Sequence, residues 1–350
     1  MKDKKLRDLN INNFSEKYVR WFFELSKEDS SIAGTKGAYL AELFNRKFPV
    51  PPGFVITPFS FDYFLESHNV LNEINEKLAK INLDNIEELE KFSIELRKYI
   101  ESLEFPSDLI EEINEAYKIL GTEKMPLIGV SSDALNILKN AEEPIFVAVR
   151  SSITDEFSFC NEETFLNVKG KLSLIDTIKK CFSSYFTAKS ILQRKKSNFK
   201  MAVIIEKMID CDKSGIISYT PEMDIKIEVI YGLGGIIQAK MIEPDKYIIS
   251  NDLKIKDIKI SDKKIAIARN SSGKNEVFKL TSSRSTSQTL ANSEAIELAD
   301  YFLKIEKIIG RAQYVEFGIE GKKIFILQSG NIDLINNNQL LPIIYYHCDY

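Results

Sequence analysis

Arg150 ends an apolar run, Ile145-Phe146-Val147-Ala148-Val149, and two hydroxyls, Ser151 and Ser152, follow it directly. The run is short enough for a buried strand. A strand that delivers a guanidinium to a loop of small polar residues suits phosphate, because arginine presents a planar fork of donors and serines add short neutral ones. An edge arginine paired with Asp155 or Glu156 has the same sequence signature. Lys36 stands in Gly34-Thr35-Lys36-Gly37. Two glycines let the backbone approach an anion, the lysine adds a mobile charge, and the helix expected next presents its N-terminus nearby. A solvated lysine in a flexible turn is the plainer alternative. Glu316 and Gln328 fall on the two arms of one expected hairpin. A divalent cation such as Mg2+ takes oxygen ligands, only one or two of them from protein. A carboxylate and a side-chain carbonyl meet that need; the plainer reading is two polar residues on a solvated sheet face.

The elements that must carry these residues are legible in outline. Residues 15–30 read as a short amphipathic lead-in, and 34–44 as a turn entering a helix with Leu40 and Leu43 on one face. Pro49, Pro51 and Pro52 block its continuation, and Phe54-Val55-Ile56 restart as a strand. A helical section is expected over 60–120. One of its helices carries Ile86, Leu89, Phe92, Ile94, Leu96, Tyr99 and Ile100 near helical spacing. Its last helix opens at Pro106-Ser107-Asp108 and stops at Gly121, with a cap expected at each end. Residues 122–144 read as a surface excursion with a short helix near 134–139, and 175–195 as one helix. From Met201 the character changes to strands: 202–205, 215–219, 225–230 and 247–249. A helix over 292–309 ends at Gly310, and 314–319 with 323–328 form a hairpin turning at Glu320-Gly321.

Composition bounds the function classes. The chain has 350 residues, enough for more than one lobe with its own core, and a net charge of −4. That charge gives no global basic field, so neither nucleic acid nor anionic membrane is expected as a partner. No apolar run approaches the ~20 residues of a membrane span, and Met1-Lys2-Asp3-Lys4-Lys5 has no apolar segment behind it, so no signal peptide is expected. Cys160, Cys181, Cys211 and Cys348 are scattered without metal-site spacing, which suggests reduced thiols and a cytoplasmic setting.

Five blocks in order resemble one family: 34–57, 145–168, 206–220 (Glu206-Lys207-Met208 onward), 231–247 (Tyr-Gly-Leu-Gly, then Pro-Asp-Lys-Tyr) and 313–328. Together they resemble the N-terminal ATP-binding region of phosphoenolpyruvate synthase (pyruvate, water dikinase), which pyruvate phosphate dikinase and rifamycin phosphotransferase share. The resemblance implies an α/β (α+β), two-lobed ATP-grasp fold that clamps ATP between its lobes. The expected division is a first lobe over 1–200 with a helical insert over 60–142, a mixed-sheet lobe over 201–335 and a tail over 336–350. It implies ATP and Mg2+ as cofactors, with Lys36 and Arg150 as the catalytic charges on the nucleotide phosphates. It puts Thr164 near the phosphates, although a threonine opening a strand needs no such role. Glu206, Lys207 and Met208 resemble the hinge between lobes, where backbone pairs with the adenine edge. Met208 would pack on the adenine face, since a thioether is soft and adaptable, and Glu206 would accept from the ribose hydroxyls or the adenine amine. An ordinary strand end with a core methionine remains the alternative. Glu316 and Gln328 match family residues that bind metal or phosphates.

The chain departs from the family in several places. Leu327-Gln328-Ser329-Gly330 stands where the family reads Leu-Gln-x-Arg, so a charge-stabilising arginine is missing. Tyr314 stands where the family often has an aspartate, Gly235 where an acidic residue is common, and Thr35 where a second glycine is usual. The loop after Ser152 is shorter and carries Asn161 in place of a glycine. The dikinases also have a swivelling domain with a phosphoacceptor histidine and a pyruvate-binding barrel. This chain has two histidines: His68, expected on a solvated face, and His347, whose surroundings do not resemble the phosphohistidine. The expectation is therefore an ATP-dependent phosphotransferase module that serves a histidine domain on another chain. The alternatives are a non-catalytic ATP-binding pseudoenzyme with a regulatory or structural role, the ATP-binding part of a rifamycin-type phosphotransferase, or an interaction surface that binds no nucleotide.

Overall fold

The computed structural model describes residues 17–122, 144–155, 163–194, 199–234, 242–310, 313–331 and 345–347. Two compact units emerge. The first comprises Met1–Ala38 with Pro52–Lys207, and the second Tyr39–Pro51 with Met208–Tyr350. The expectations for 123–143, Asn161, Gly235 and the tail apart from Tyr345–His347 lie outside the described residues.

In the first unit, β1 (Val19–Trp21), α1 (Ser30–Asn45, shared across the division) and β2 (Gly53–Ile56) are followed by four helices. These are α2 (Pro58–Ser67), α3 (Leu71–Lys80), α4 (Ile86–Ser102) and α5 (Ser107–Gly121). Then come β3 (Phe146–Ile153), β4 (Glu163–Lys169), α6 (Lys171–Ser184), α7 (Ala188–Arg194) and β5 (Met201–Lys207). The strands lie in the order β1-β2-β5-β3-β4, each antiparallel to its neighbour. Side chains alternate across a strand, and here both faces are put to use. Val147, Val149, Phe165, Val203 and Ile205 join Phe61, Phe64 and Phe182 of the helices in one buried cluster. Burying such side chains contributes about 1.5–3 kcal/mol each, so this face holds the unit together and leaves the opposite face free for polar work.

In the second unit, β6 (Lys213–Tyr219), β7 (Ile225–Tyr231), β8 (Asp245–Ile249) and β9 (Ile255–Lys259) lead to a separate hairpin, β10 (Ile265–Arg269) and β11 (Asn275–Lys279). A short helix α8 (Ser282–Ser285), the long helix α9 (Asn292–Ile309), β12 (Gln313–Glu320) and β13 (Lys323–Asn331) complete it. The main sheet runs β13-β12-β6-β7-β8-β9. Helix α9 stops where expected: Gly310 takes the left-handed conformation at φ 85° and its N–H bonds Glu306 O at 2.7 Å.

Several elements differ from the sequence reading. The strand expected over 145–149 continues to Ile153, so Arg150, Ser151 and Ser152 lie inside an interior strand and not in a loop. The helix expected over 175–195 is two helices, α6 and α7. Helix α4 buries Leu89, Ser93, Leu96 and Ile100 and exposes Ile86, Ile94 and Tyr99, so its apolar face is narrower than the spacing suggested. Helix α5 starts behind Pro106 with no side-chain cap and has Thr122, not glycine, at its C-cap. Strands β1, β9, β10 and β11 lacked an apolar alternation strong enough to be foreseen. His68 is half-buried, its ring against Phe64 at 5.5 Å between centroids.

Candidate functional site

In the first unit the polar face of the sheet gathers most of the candidates. Ala148 pairs with Glu206 across β3 and β5, and Arg150 pairs with Thr164 across β3 and β4. Arg150, Thr164 and Glu206 therefore share one face, the one turned away from the aromatic cluster. Arg150 Nε donates to Glu206 Oε1 at 3.0 Å, with both side chains almost fully enclosed (4% and 1% exposed). Two charges brought this far out of water are tolerated because they are paired; each alone carries a penalty of several kcal/mol.

Helix α1 brings Lys36 to the same face. Its true start is Thr35: Gly34 has φ 67° and ψ 163°, outside helical geometry. A Cβ on Gly34 would stand 2.2 Å from Ser152 Oγ, so both its conformation and its surroundings require glycine. Ser152 Oγ then accepts the Gly37 N–H at 3.2 Å, and Gly37 packs on Val55 and Ile204. Ser152 thus ties the lysine-bearing turn to the strand that carries Arg150. Lys36 itself is buried. Sequence reasoning gave Ser152 a ligand-binding role; its alternation with Arg150 was the signal for this contact. Ser151, on the opposite face, accepts the Glu163 N–H at 2.8 Å, and Glu163 pairs with Arg97 of α4 at 2.8 Å. Neither Glu163 nor Arg97 was singled out from sequence.

The 206–208 segment divides in character. Glu206 is enclosed beside Arg150, Lys207 is exposed at the end of β5, and Met208 is half-buried as the first residue assigned to the second unit. The Lys207 N–H already bonds Pro52 O at 2.9 Å, so that amide is committed within the first unit.

In the second unit Glu316 and Gln328 are register partners on β12 and β13 and both are buried. The pairing slips at Glu316/Phe317, where Phe317 faces Ile326, leaving Leu327 as an extra residue in β13. Such a bulge re-aims the side chains beside it. On the face shared with Glu316 and Gln328 lie Tyr314 and Gly330, also register partners. The Gln328 Nε2 donates to the Tyr314 hydroxyl at 2.6 Å. Among the described residues no group of three or more His, Cys, Asp or Glu converges as a metal cluster.

Two further motifs are structural. Asp245 of Pro-Asp-Lys-Tyr is fully buried, accepts Thr289 N–H at 2.9 Å, Thr289 Oγ1 at 2.7 Å and Ser261 N–H at 2.9 Å, and pairs with the equally buried Lys263. Tyr247 of the same motif donates to Leu290 O at 3.1 Å and accepts the Leu290 N–H at 3.0 Å. Burial pushes its phenol up to about 12. In Tyr-Gly-Leu-Gly, Gly232 has φ 77° and a Cβ there would meet Ile267 O at 2.1 Å. The neighbour that this glycine accommodates is the chain's own backbone.

The sequence as a whole is similar to known proteins. The family described as pyruvate phosphate dikinase, AMP/ATP-binding domain, matches residues 30–342. The chain belongs to this family. Its helices and antiparallel sheets form the α+β, ATP-grasp-like build of a dikinase AMP/ATP-binding domain. It is 31% identical to a "Probable phosphoenolpyruvate synthase" of Methanocaldococcus jannaschii, over 94% of this chain and 28% of that protein. It is 32% identical to one of Archaeoglobus fulgidus, over 92% of this chain and 42% of the relative. It is 30% identical to the "Phosphoenolpyruvate synthase" of Pyrococcus furiosus, over 89% and 43%. The chain thus spans less than half the length of these relatives, and what it matches in them is the dikinase AMP/ATP-binding domain. No helix among the described residues is long and apolar enough to cross a membrane.

Proposed function

We propose that this chain binds Mg-ATP and passes a phosphoryl group to a histidine carried on another domain or chain. The observation that carries the reading is the polar sheet face on which Arg150, Thr164 and Glu206 lie with the Lys36 turn tied to it through Ser152. Transfer of a phosphoryl group asks a protein mainly for positioning and charge stabilisation. Lys36 and Arg150 would neutralise phosphate oxygens and Thr164 would add a neutral donor. Glu206 holds Nε of Arg150, which fixes the plane of the guanidinium. Lys207 and Met208 would border the base. Glu316 and Gln328 offer the oxygen donors that Mg2+ prefers and would hold it. Held there, Mg2+ would supply positive charge that offsets the charge of the phosphates. The synthase names of the relatives, and their greater length, favour an acceptor histidine outside these 350 residues.

One observation favours a second reading, ATP binding without transfer: Gly330 takes the place of an arginine and Tyr314 fills the space above it. The two readings separate in one experiment. Mg-ATP binding is measured by calorimetry on the wild type, Lys36→Ala and Glu316→Ala, and radiolabelled ATP is then supplied together with a synthase histidine domain. The expected result is binding that both substitutions weaken at least tenfold, and label appearing on the histidine. Binding without label favours the second reading. A folded wild type that binds no ATP overturns both.

A further inference from the structure

Two of the departures from the family, Tyr314 and Gly330, are one structural feature. They face each other across β12 and β13, beside Glu316 and Gln328. A Cβ on Gly330 would stand 2.5 Å from Cε1, 2.8 Å from Cζ and 2.9 Å from the hydroxyl oxygen of Tyr314. Real Cβ atoms do not approach heavy atoms that closely, because repulsion rises steeply inside van der Waals contact. The backbone of Gly330 is not left-handed, so glycine is needed there for space alone. The ring lies across the glycine, and its hydroxyl accepts the Gln328 Nε2–H at 2.6 Å. Tyr314 is 2% exposed, which leaves the ring little room to swing aside when residue 330 grows.

We propose that Tyr314 is a positioning residue: its phenol holds the nitrogen end of the Gln328 carboxamide, which turns the oxygen end toward the metal–nucleotide. The amide of glutamine is nearly symmetric in shape and its last torsion is soft, so packing alone barely distinguishes its oxygen from its nitrogen. A hydrogen bond that captures the nitrogen end commits the oxygen end to the other direction. Mg2+ accepts only the oxygen. The phenol therefore supports metal binding from a distance, through Gln328, and the glycine at 330 exists to admit the phenol. Placing arginine at 330 alone would displace the ring and loosen the glutamine. It would not simply restore a missing charge. The inference rests on the reading of Glu316 and Gln328 as the Mg2+ pair given above.

The test measures ATP affinity with Mg2+ and with EDTA, and the ratio of the two is the readout. Tyr314→Phe keeps the ring over Gly330 and removes only the hydroxyl. We expect its ratio to fall about five- to tenfold, the size of one neutral hydrogen bond, with affinity in EDTA unchanged. Gln328→Leu should lower the ratio further, and adding Tyr314→Phe to it should change nothing more, because the tyrosine acts through the glutamine. Gly330→Ala, which pushes the ring and leaves its hydroxyl chemically intact, should lower the ratio in the wild type but not in Tyr314→Phe. A full ratio in folded Tyr314→Phe, or an equal loss with and without Gln328, overturns the inference while leaving the Mg2+ pair intact. A wild type that binds ATP equally with and without Mg2+ overturns the pair itself, and the inference with it.

Discussion

Arg150 and Glu206 matter as a pair, and the physics of burial makes that testable. With 4% and 1% of their side chains exposed, each charge meets little water to replace the other if it leaves. Glu206→Leu removes the carboxylate paired with a buried guanidinium, and the cost expected is about 3–5 kcal/mol. Replacing both, Arg150→Met with Glu206→Leu, should return most of that stability, since similar volumes refill the space without stranded charge. Urea unfolding of the two singles and the double gives the coupling directly. Additive losses would mean that each residue is held by other contacts. Sequence marked both residues, but it assigned Arg150 to phosphate or to Asp155 and Glu156, and Glu206 to ribose or adenine. The partnership was hidden because it depends on register: Arg150 meets Glu206 only when β3 and β5 pair as they do, and no local pattern fixes that contact over 56 residues of separation. Ser152 escaped for a related reason. Its role depends on Gly34 leaving the helical region, which the Gly-Thr-Lys-Gly run permits but does not announce.

The elements that were legible are those whose signals are local. Helix α9 had a strong apolar period and a glycine stop, and the hairpin β12–β13 had a glycine turn between two alternating runs. Strand β3 was placed correctly at its start and cut short at its end, because Arg150, Ser151 and Ser152 look like loop residues until both faces of the sheet are known to be covered. The bulge at Leu327 has no sequence signature, yet it decides how Gln328 is aimed. The Pro-Asp-Lys-Tyr motif was visible, but its work was not. Tyr247 fastens β8 to the segment leading into α9 through two hydrogen bonds at Leu290. Burial raises its pKa from 10.0 to about 12. A group whose folded pKa is raised favours folding while protonated, so its contribution is full below about pH 10 and is lost as pH rises through about 12. The upper size of that term is about 2–3 kcal/mol. The advantage of the wild type over Tyr247→Phe in urea midpoint should therefore shrink steadily across this window. An advantage that holds constant through pH 12 would mean that the phenol is not the titrating group.

At the scale of the whole molecule, the division of the chain is not a single cut. Tyr39–Pro51 belongs to the second unit, while Pro52–Lys207, which follows it directly, belongs to the first. The second unit therefore depends on a piece of chain that a simple split after Lys207 would remove. That piece makes specific contacts: the Phe48 ring packs on Tyr301 at 5.8 Å between centroids, and Pro49 O accepts the Ile326 N–H of β13 at 2.9 Å. Strand β13 lies at the edge of its sheet and carries Gln328, so this hydrogen bond also covers an open edge next to a candidate ligand residue. An uncovered edge strand invites pairing with other chains. The fragment Met208–Tyr350 expressed alone should consequently associate and unfold without a sharp transition. The same fragment preceded by Tyr39–Pro51 on a flexible linker should be monomeric and unfold cooperatively. Sedimentation and urea titration of the two fragments decide the matter. A monomeric, cooperative Met208–Tyr350 would show that the interleaved segment is dispensable. Dependence on it would mean that the second unit, with Glu316 and Gln328, cannot be detached by a single cut after Lys207.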